Sequence, residues 1–133
     1  MTDAKRITTF DDQGKENGFL IELEKDGPKT TSYLTCCKPG AMKGFHLHKR
    51  RTSNYICVRG EMTIITFGPH GKEEKVITKG DTMSLGTGIP IGLKNNGDEE
   101  GWLINFPTPP YDPEDKDEQI EYTERTARDL FGL

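Results

Sequence analysis

Hydrophobic residues in this chain occur in short runs that are separated by glycine, proline, asparagine and charged residues. The runs are rich in β-branched and aromatic side chains, which favour strands, and TIITF at 63–67 is the clearest of them. Turn residues stand at 25–28, 39–40, 68–71, 86–90 and 95–98, between successive runs. The pattern predicts strands at 6–10, 19–23, 31–37, 46–48, 55–58, 62–67, 75–78, 82–85, 91–93 and 102–106.

Regularly spaced short strands of this kind predict an all-β fold, a small antiparallel sandwich or barrel. No helical period of useful length occurs before residue 115. The 133 residues are predicted to form one domain, with an N-terminal arm at 1–17, a barrel core at 40–106 and a tail at 107–133. The tail opens with the proline- and acid-rich PTPPYDPEDKDE, which we expect to extend over the surface, and 124–130 is predicted to form one short helix.

The composition of the chain limits the classes of function that it can have. The net charge of -4 argues against general nucleic-acid binding, so positive charge matters only locally. No run is long and apolar enough to span a membrane, and residues 1–15 lack the apolar centre of a signal peptide. The three cysteines, Cys36, Cys37 and Cys57, are odd in number and two are adjacent, which favours reduced thiols. We therefore expect a cytoplasmic protein.

The segment 40–60 holds two of the three histidines, His46 and His48, on alternate residues of a predicted strand. Alternate side chains of a strand point to the same face, so both imidazoles should share one surface. Five basic residues lie nearby in the sequence: Lys43, Lys49, Arg50, Arg51 and Arg59. A proton-transferring group beside cations suits an anionic ligand whose chemistry needs a base, although two satisfied core histidines and a solvated basic loop would produce the same pattern.

The glycine and histidine spacing resembles the two motifs of the cupin superfamily. The first is Gly40, five residues, His46, one residue, His48, then Gly60, and the second is Gly80, five residues, Gly86, one residue, Gly88, then Asn95. The resemblance implies a jelly-roll barrel.

The metal ligands of this superfamily are incomplete in the chain. A metal-binding cupin supplies two His, a Glu and a third His to a divalent ion. Here the Glu position falls near Thr52 or Ser53, and the third His position falls on Ile91. His70 lies in a predicted turn at the far end of a hairpin. The resemblance therefore implies no metal and no cofactor.

A metal-free cupin with histidine at this place resembles the sugar-nucleotide branch, the deoxysugar 3,5-epimerases and 3,4-ketoisomerases. KGFHLHK at 43–49 is similar to the Arg-Gly-Leu-His element of the epimerases and to Arg-Gly-His-His-Ala-His-Lys of the ketoisomerases. YDPE at 111–114 and IEYTE at 120–124 are similar to the Tyr-x-Pro-Glu and Ile-x-Trp-x-Asp elements of the epimerases. The resemblance implies catalytic roles for His46, His48, Tyr111 and Glu124.

Such an enzyme removes an acidic proton beside the ketone of a nucleoside diphosphate 4-keto-deoxysugar, for which neutral imidazole is a suitable base. Lys43 and the second histidine are candidates for stabilising the enolate, and Tyr111 or Tyr55 for returning the proton. The diphosphate would be held by Arg50, Arg51 and Arg59.

Two other functions remain open on the sequence: a non-catalytic cupin that binds a sugar or effector, and a metal-dependent oxygenase with unusual ligands. We also expect a homodimer, because small cupins commonly bury an N-terminal strand across a two-fold axis.

Overall fold

The computed structural model describes residues 5–122, 125–126 and 129. Within this part the chain forms eleven strands. They are β1 (Arg6–Phe10), β2 (Glu16–Asp26), β3 (Lys29–Cys37), β4 (Met42–His48), β5 (Ser53–Arg59), β6 (Glu61–Gly68), β7 (Gly71–Thr78), β8 (Thr82–Leu85), β9 (Ile91–Lys94), β10 (Gly101–Asn105) and β11 (Gln119–Glu121).

The strands make two antiparallel sheets that face each other. One sheet has the order β1-β2-β3-β10-β5-β8, and the other has the order β11-β4-β9-β6-β7. Consecutive strands such as β4 and β5 lie in different sheets, which is the connectivity of a jelly roll. The predicted all-β class and jelly-roll architecture are confirmed.

The turn between β5 and β6 shows why glycine is required at a turn of this chain. Gly60 has a φ of +64°, and a Cβ there would lie 2.5 Å from the carbonyl oxygen of Glu100. A larger residue would therefore be strained by its backbone and would also collide with the neighbouring loop. The tight passage places β5 in one sheet and β6 in the other.

An apolar core fills one part of the space between the sheets. Its fully buried members come from both sheets: Cys37, Cys57, Met62, Ile64, Ile77 and Leu103. Ile91 and Leu93 extend this core along β9 to the partner strand of the histidine-bearing β4. The remaining part of the interior holds buried polar residues, among them His48, Arg51 and Asn105, and an open cavity.

The tail differs from its prediction as a surface segment. Residues 119–121 pair with β4 as an edge strand, and Glu118 is only 4% exposed. The tail therefore completes the second sheet and reaches the polar interior. Residues 125, 126 and 129 of the predicted helix are helical, and its other positions lie outside the described residues. In the described part of the chain, none of the helical segments has the length and apolar character needed to cross a membrane.

Candidate active site

The two histidines of β4 lie together, as the alternation predicts. Their ring centroids are 4.5 Å apart, with an angle of 63° between the ring planes. His46 stands opposite Ile91 of β9, which belongs to the apolar core, so this face of β4 is turned to the barrel interior.

A cavity of about 340 Å³ opens beside His46. Its wall combines residues from the first sheet, from β4 and the loop that follows it, from β9 and from the tail: Leu20, Glu22, Thr30, Tyr33, Thr35, Lys43, Gly44, His46, Arg51, Tyr55, Leu93, Tyr111 and Gln119. Three tyrosines, two cations and one imidazole thus face a single space that is large enough for a sugar ring.

His46 is the histidine that lines the cavity. Its Nε2 atom is buried, and no described residue forms a hydrogen bond with it. Burial, followed by the nearby His48 and Arg51, lowers the pKa of His46 to about 3. The ring is therefore neutral near pH 7, with one nitrogen that has no hydrogen-bond partner in the described part of the chain.

His48 is held by a buried carboxylate from the tail. Its Nδ1 lies 3.2 Å from Oε1 of Glu118 and 3.1 Å from Nη2 of Arg51. This nitrogen either donates to Glu118 or accepts from Arg51, because one nitrogen of a neutral ring cannot do both. Burial, and then the charge of Arg51, lowers the pKa of His48 despite the carboxylate.

Arg51 and Glu118 form the buried ion pair at the centre of the site. Nε of Arg51 donates to Oε1 of Glu118 over 2.6 Å, and the backbone N–H groups of Arg50 and Arg51 donate to Oε2. Burial alone would raise the pKa of Glu118, but these hydrogen bonds outweigh it and lower the pKa to about 2. The carboxylate therefore stays charged and fixes Arg51.

Arg51 also reaches the mouth of the cavity. Its Nη2 donates to Oε1 of Gln119 over 2.8 Å, and its guanidinium carbon lies 4.9 Å from the ring centroid of Tyr111. Tyr111 is 39% exposed and lines the rim. The structure thus brings two predicted site residues, Arg51 and Tyr111, into direct contact.

Lys43 lines the cavity, but its ammonium group is tied to the first sheet. Nζ lies 2.8 Å from Oγ1 of Thr9, 3.0 Å from the carbonyl oxygen of Cys36 and 3.5 Å from that of Phe19. Burial lowers its pKa. These three acceptors match the three donors of a lysine ammonium, so Lys43 holds β1, β2 and β3 against β4.

The two other predicted arginines are not in the cavity wall. Arg50 is exposed and pairs with Asp115 and, over 2.5 Å, with Asp117 of the tail. Arg59 is exposed at the end of β5, 3.3 Å from Glu100, and its guanidinium carbon lies 5.1 Å from the Trp102 ring. Glu124 lies outside the described residues.

Tyr55 does face inward, in a row of polar residues across three strands. Asn105 of β10 stands opposite Tyr33 of β3 on one side and Tyr55 of β5 on the other. Both tyrosines line the cavity, and burial raises the pKa of each phenol. Sequence reasoning selected Tyr55 and missed Tyr33, although Tyr33 and Thr35 alternate on β3 as inward-facing residues.

The site also contains Glu118, Gln119 and Asn105, none of which sequence reasoning selected. Glu118 stands in an acidic run whose composition is typical of a solvated surface. Nothing in that run distinguishes the one carboxylate that becomes buried.

The residues present do not fit the metal site of a metal-binding cupin. Ile91, at the third histidine position, stands directly across the sheet from His46 and offers no ligand atom. The described residues contain no group of three or more His, Cys, Asp and Glu side chains placed to hold an ion.

Comparison with protein families decides the classification. The family model described as "Cupin" matches residues 29–108. This chain belongs to the cupin family. The match spans β3 to the end of β10 and includes both histidines, so most of the site described above lies inside the matched region, whereas Tyr111, Glu118 and Gln119 follow it.

This cupin is similar to a probable low-salt glycan biosynthesis epimerase of Haloferax volcanii. The two are 34% identical over 123 aligned positions, which cover 78% of this chain and 77% of the relative.

Solved structures of other proteins share its fold. The capsular polysaccharide assembling protein CapF of Staphylococcus aureus matches with a TM-score of 0.72 at 20% identity, over 90% of this chain. The chain spans about a third of the length of CapF, 34%. The cupin domain of Drosophila melanogaster CENP-C matches with a TM-score of 0.64 at 17% identity, over 77% of this chain and 75% of that domain.

Proposed function

We propose that this cupin is an isomerase or epimerase of a nucleoside diphosphate 4-keto-deoxysugar, acting by proton abstraction beside the ketone. The observation that carries the proposal is the neutral imidazole of His46, whose buried Nε2 has no partner among the described residues and whose ring lines a cavity of about 340 Å³. The epimerase name of the Haloferax volcanii relative supports the reaction class.

His46 is the base in this proposal because it lines the cavity, whereas His48 is not among the lining residues. A carbon acid beside a ketone loses its proton to Nε2, and the electrons of the C–H bond form a C=C bond as the carbonyl becomes an enolate. The low pKa of His46 keeps it unprotonated, and a bound diphosphate would raise that pKa through its negative charge. His48, held by Glu118, packs against His46 and fixes its ring.

Tyr111 returns a proton to the carbon from the opposite face in an epimerisation. It is at the rim of the cavity and lies over Arg51, which orients its ring. Arg51 supplies positive charge to the ligand, while Arg50 and Arg59 would meet a diphosphate only where it extends beyond the cavity. The role of Glu124 as partner of the base stays a prediction.

The experiment is solvent deuterium incorporation into thymidine diphosphate-4-keto-6-deoxyglucose, followed by NMR in D₂O. We expect exchange at a carbon beside the ketone with the wild-type protein and none with His46→Ala. The matched control is His70→Ala, because His70 is exposed in the β6–β7 turn and its loss should not alter the rate. Unchanged exchange in His46→Ala would remove His46 as base, and binding without exchange in the wild type would identify a non-catalytic sugar-binding cupin.

We also propose a homodimer in the cytoplasm. β1 is the edge strand of the first sheet, with Ile7 40% and Phe10 60% exposed, and burial of this edge by a second copy would cover both. All three cysteines are buried free thiols, which suits a reducing compartment. A monomer by light scattering at micromolar concentration would contradict the dimer.

A further inference from the structure

The enolate of the proposed reaction needs a hydrogen-bond donor at its oxygen, and Lys43 is poorly placed to give one. Its three acceptors, on Thr9, Phe19 and Cys36, already occupy the donors of its ammonium group. A different donor that faces the cavity is therefore required.

The buried amide of Asn105 determines the direction of a nearby hydroxyl. Asn105 is 1% exposed, and its Oδ1 accepts a hydrogen bond of 2.9 Å from the backbone N–H of Asn54. The amide orientation is fixed by this contact, because only an oxygen can accept from a backbone N–H. The Nδ2 group then faces the phenolic oxygen of Tyr33 at 2.6 Å and must donate to it.

Tyr33 therefore accepts from Asn105 and keeps its own proton for another partner. The positive charge of the nearby Arg51 also acts on this phenol. Among the described residues, no oxygen accepts a hydrogen bond from the Tyr33 hydroxyl, and the side chain lines the cavity. A donor on the phenolic oxygen polarises its O–H group and makes it a stronger donor to a ligand.

We propose that Tyr33 is a catalytic residue that donates a hydrogen bond to the ligand oxygen on which negative charge develops. The assignment rests on the proposed function. When the base removes the proton, the C–H electron pair becomes the C=C bond and the carbonyl π pair moves to oxygen. The Tyr33 hydroxyl donates a hydrogen bond to that oxygen. Return of a proton to carbon reverses both shifts, so the step is redox-neutral and needs no co-reactant.

The protonation state of Tyr33 agrees with this role. Burial raises the pKa of its phenol, and the hydrogen bond from Asn105 and the positive charge of Arg51 only partly offset that effect. The hydroxyl thus stays protonated at a pH at which the imidazole of His46 is neutral. Tyr111 is 39% exposed at the rim, so its phenol is less shielded from water than that of Tyr33.

Tyr33→Phe tests the assignment, because it removes the hydroxyl and keeps the ring. With the deuterium-exchange assay on thymidine diphosphate-4-keto-6-deoxyglucose, we expect kcat to fall about 100-fold or more and KM to change little, as for the loss of one oxyanion donor. Thr78→Val is the control, because it removes an exposed hydroxyl that bonds to Asp81 between β7 and β8, outside the cavity wall, and it should keep the wild-type rate. A Tyr33→Phe rate within threefold of wild type would overturn the assignment and leave the proposed function standing.

Asn105→Asp is the second variant, and thermal melting shows whether each variant is folded. A carboxylate has no N–H, so it would accept from Tyr33 and turn the hydroxyl proton away from the cavity. We expect a loss of kcat similar to that of Tyr33→Phe, and no further loss in the double variant, because both changes remove the same hydrogen bond. Independent losses that multiply in the double variant would overturn the assignment. Absence of exchange in the wild type would overturn the proposed function, and the role of Tyr33 with it.

Discussion

The interior of this barrel has two regions that are equally buried and opposite in chemistry. In the first, Met62, Ile64 and Leu103 are fully buried and pack through apolar contact. In the second, Arg51 and Glu118 are each 4% exposed and are held by charge and hydrogen bonds. Apolar packing stabilises the barrel in proportion to the area it buries, whereas a buried charge is tolerated only while its partner is present.

This difference means that the two regions should respond differently to the same kind of change. Truncation in the apolar region leaves a cavity whose cost depends on volume, and the site can keep its geometry. Truncation in the polar region leaves a charge without its partner, so stability and chemistry should be lost together.

The largest effect is expected from Glu118→Ala, which leaves Arg51 buried without its carboxylate. We expect a loss of about 3–5 kcal/mol in the free energy of unfolding, measured by urea denaturation, together with loss of exchange activity.

Asp115→Ala is the control for this change. Asp115 pairs with Arg50, the exposed neighbour of Arg51, and surface pairs contribute little because water screens them. We expect a nearly unchanged urea midpoint. A loss for Glu118→Ala no larger than that of the control would show that the buried pair does not support the polar region.

Leu103→Ala should destabilise the apolar region without disabling the site. Leu103 is fully buried, and we expect a loss of about 2–5 kcal/mol by urea denaturation. Measured well below its melting temperature, the variant should keep the exchange rate of the wild type, because Leu103 is not in the cavity wall. A rate that falls with stability would show that the two regions are coupled.

The smallest expected effect is a dependence of folding stability on pH, which arises only in the polar region. The folded pKa of His46 is about 3 against an ordinary 6.5, so between these values the unfolded chain binds the proton and the folded chain does not. Stability should therefore be complete above pH 6.5 and fall as the pH drops, by about 2 kcal/mol at pH 5 from His46 alone. Glu118, with a pKa lowered to about 2 from 4.5, should add a further loss below pH 4.5.

Thermal melting between pH 7 and pH 5 measures this dependence. His46→Asn should flatten the curve, whereas His70→Ala should not, because His70 is exposed. A wild-type curve that rises toward pH 5 would contradict a neutral, buried His46.

The strands and the histidine pair were predictable because both depend on local sequence. β-branched runs between turn residues predicted strands near 6–10, 31–37, 62–67 and 82–85, and each is present. Alternation in β4 predicted that His46 and His48 share a face, and their 4.5 Å separation agrees. These properties follow from backbone geometry over a few residues.

The different environments of Arg50 and Arg51 were not predictable from the sequence. The two arginines are adjacent, with the same charge and similar size, yet one pairs with exposed aspartates and the other is buried against Glu118. Which face each one takes depends on where the tail crosses β4, nearly 70 residues further along the chain. The hydroxyl of Tyr33 has the same dependence, because its direction is set by the amide of Asn105 on another strand.

By itself, the sequence predicted an all-β sandwich or barrel in which two imidazoles share one face, and its resemblance to the cupins implied the jelly roll and the apolar residue, Ile91, at the third histidine position. Only the tertiary structure decided which carboxylate, which arginine and which phenol share the cavity with them. The physical reason is that these properties depend on neighbours at different distances along the chain. Strand formation and side-chain alternation are set by neighbours in the chain, but burial, pKa and hydrogen-bond direction are set by neighbours in space.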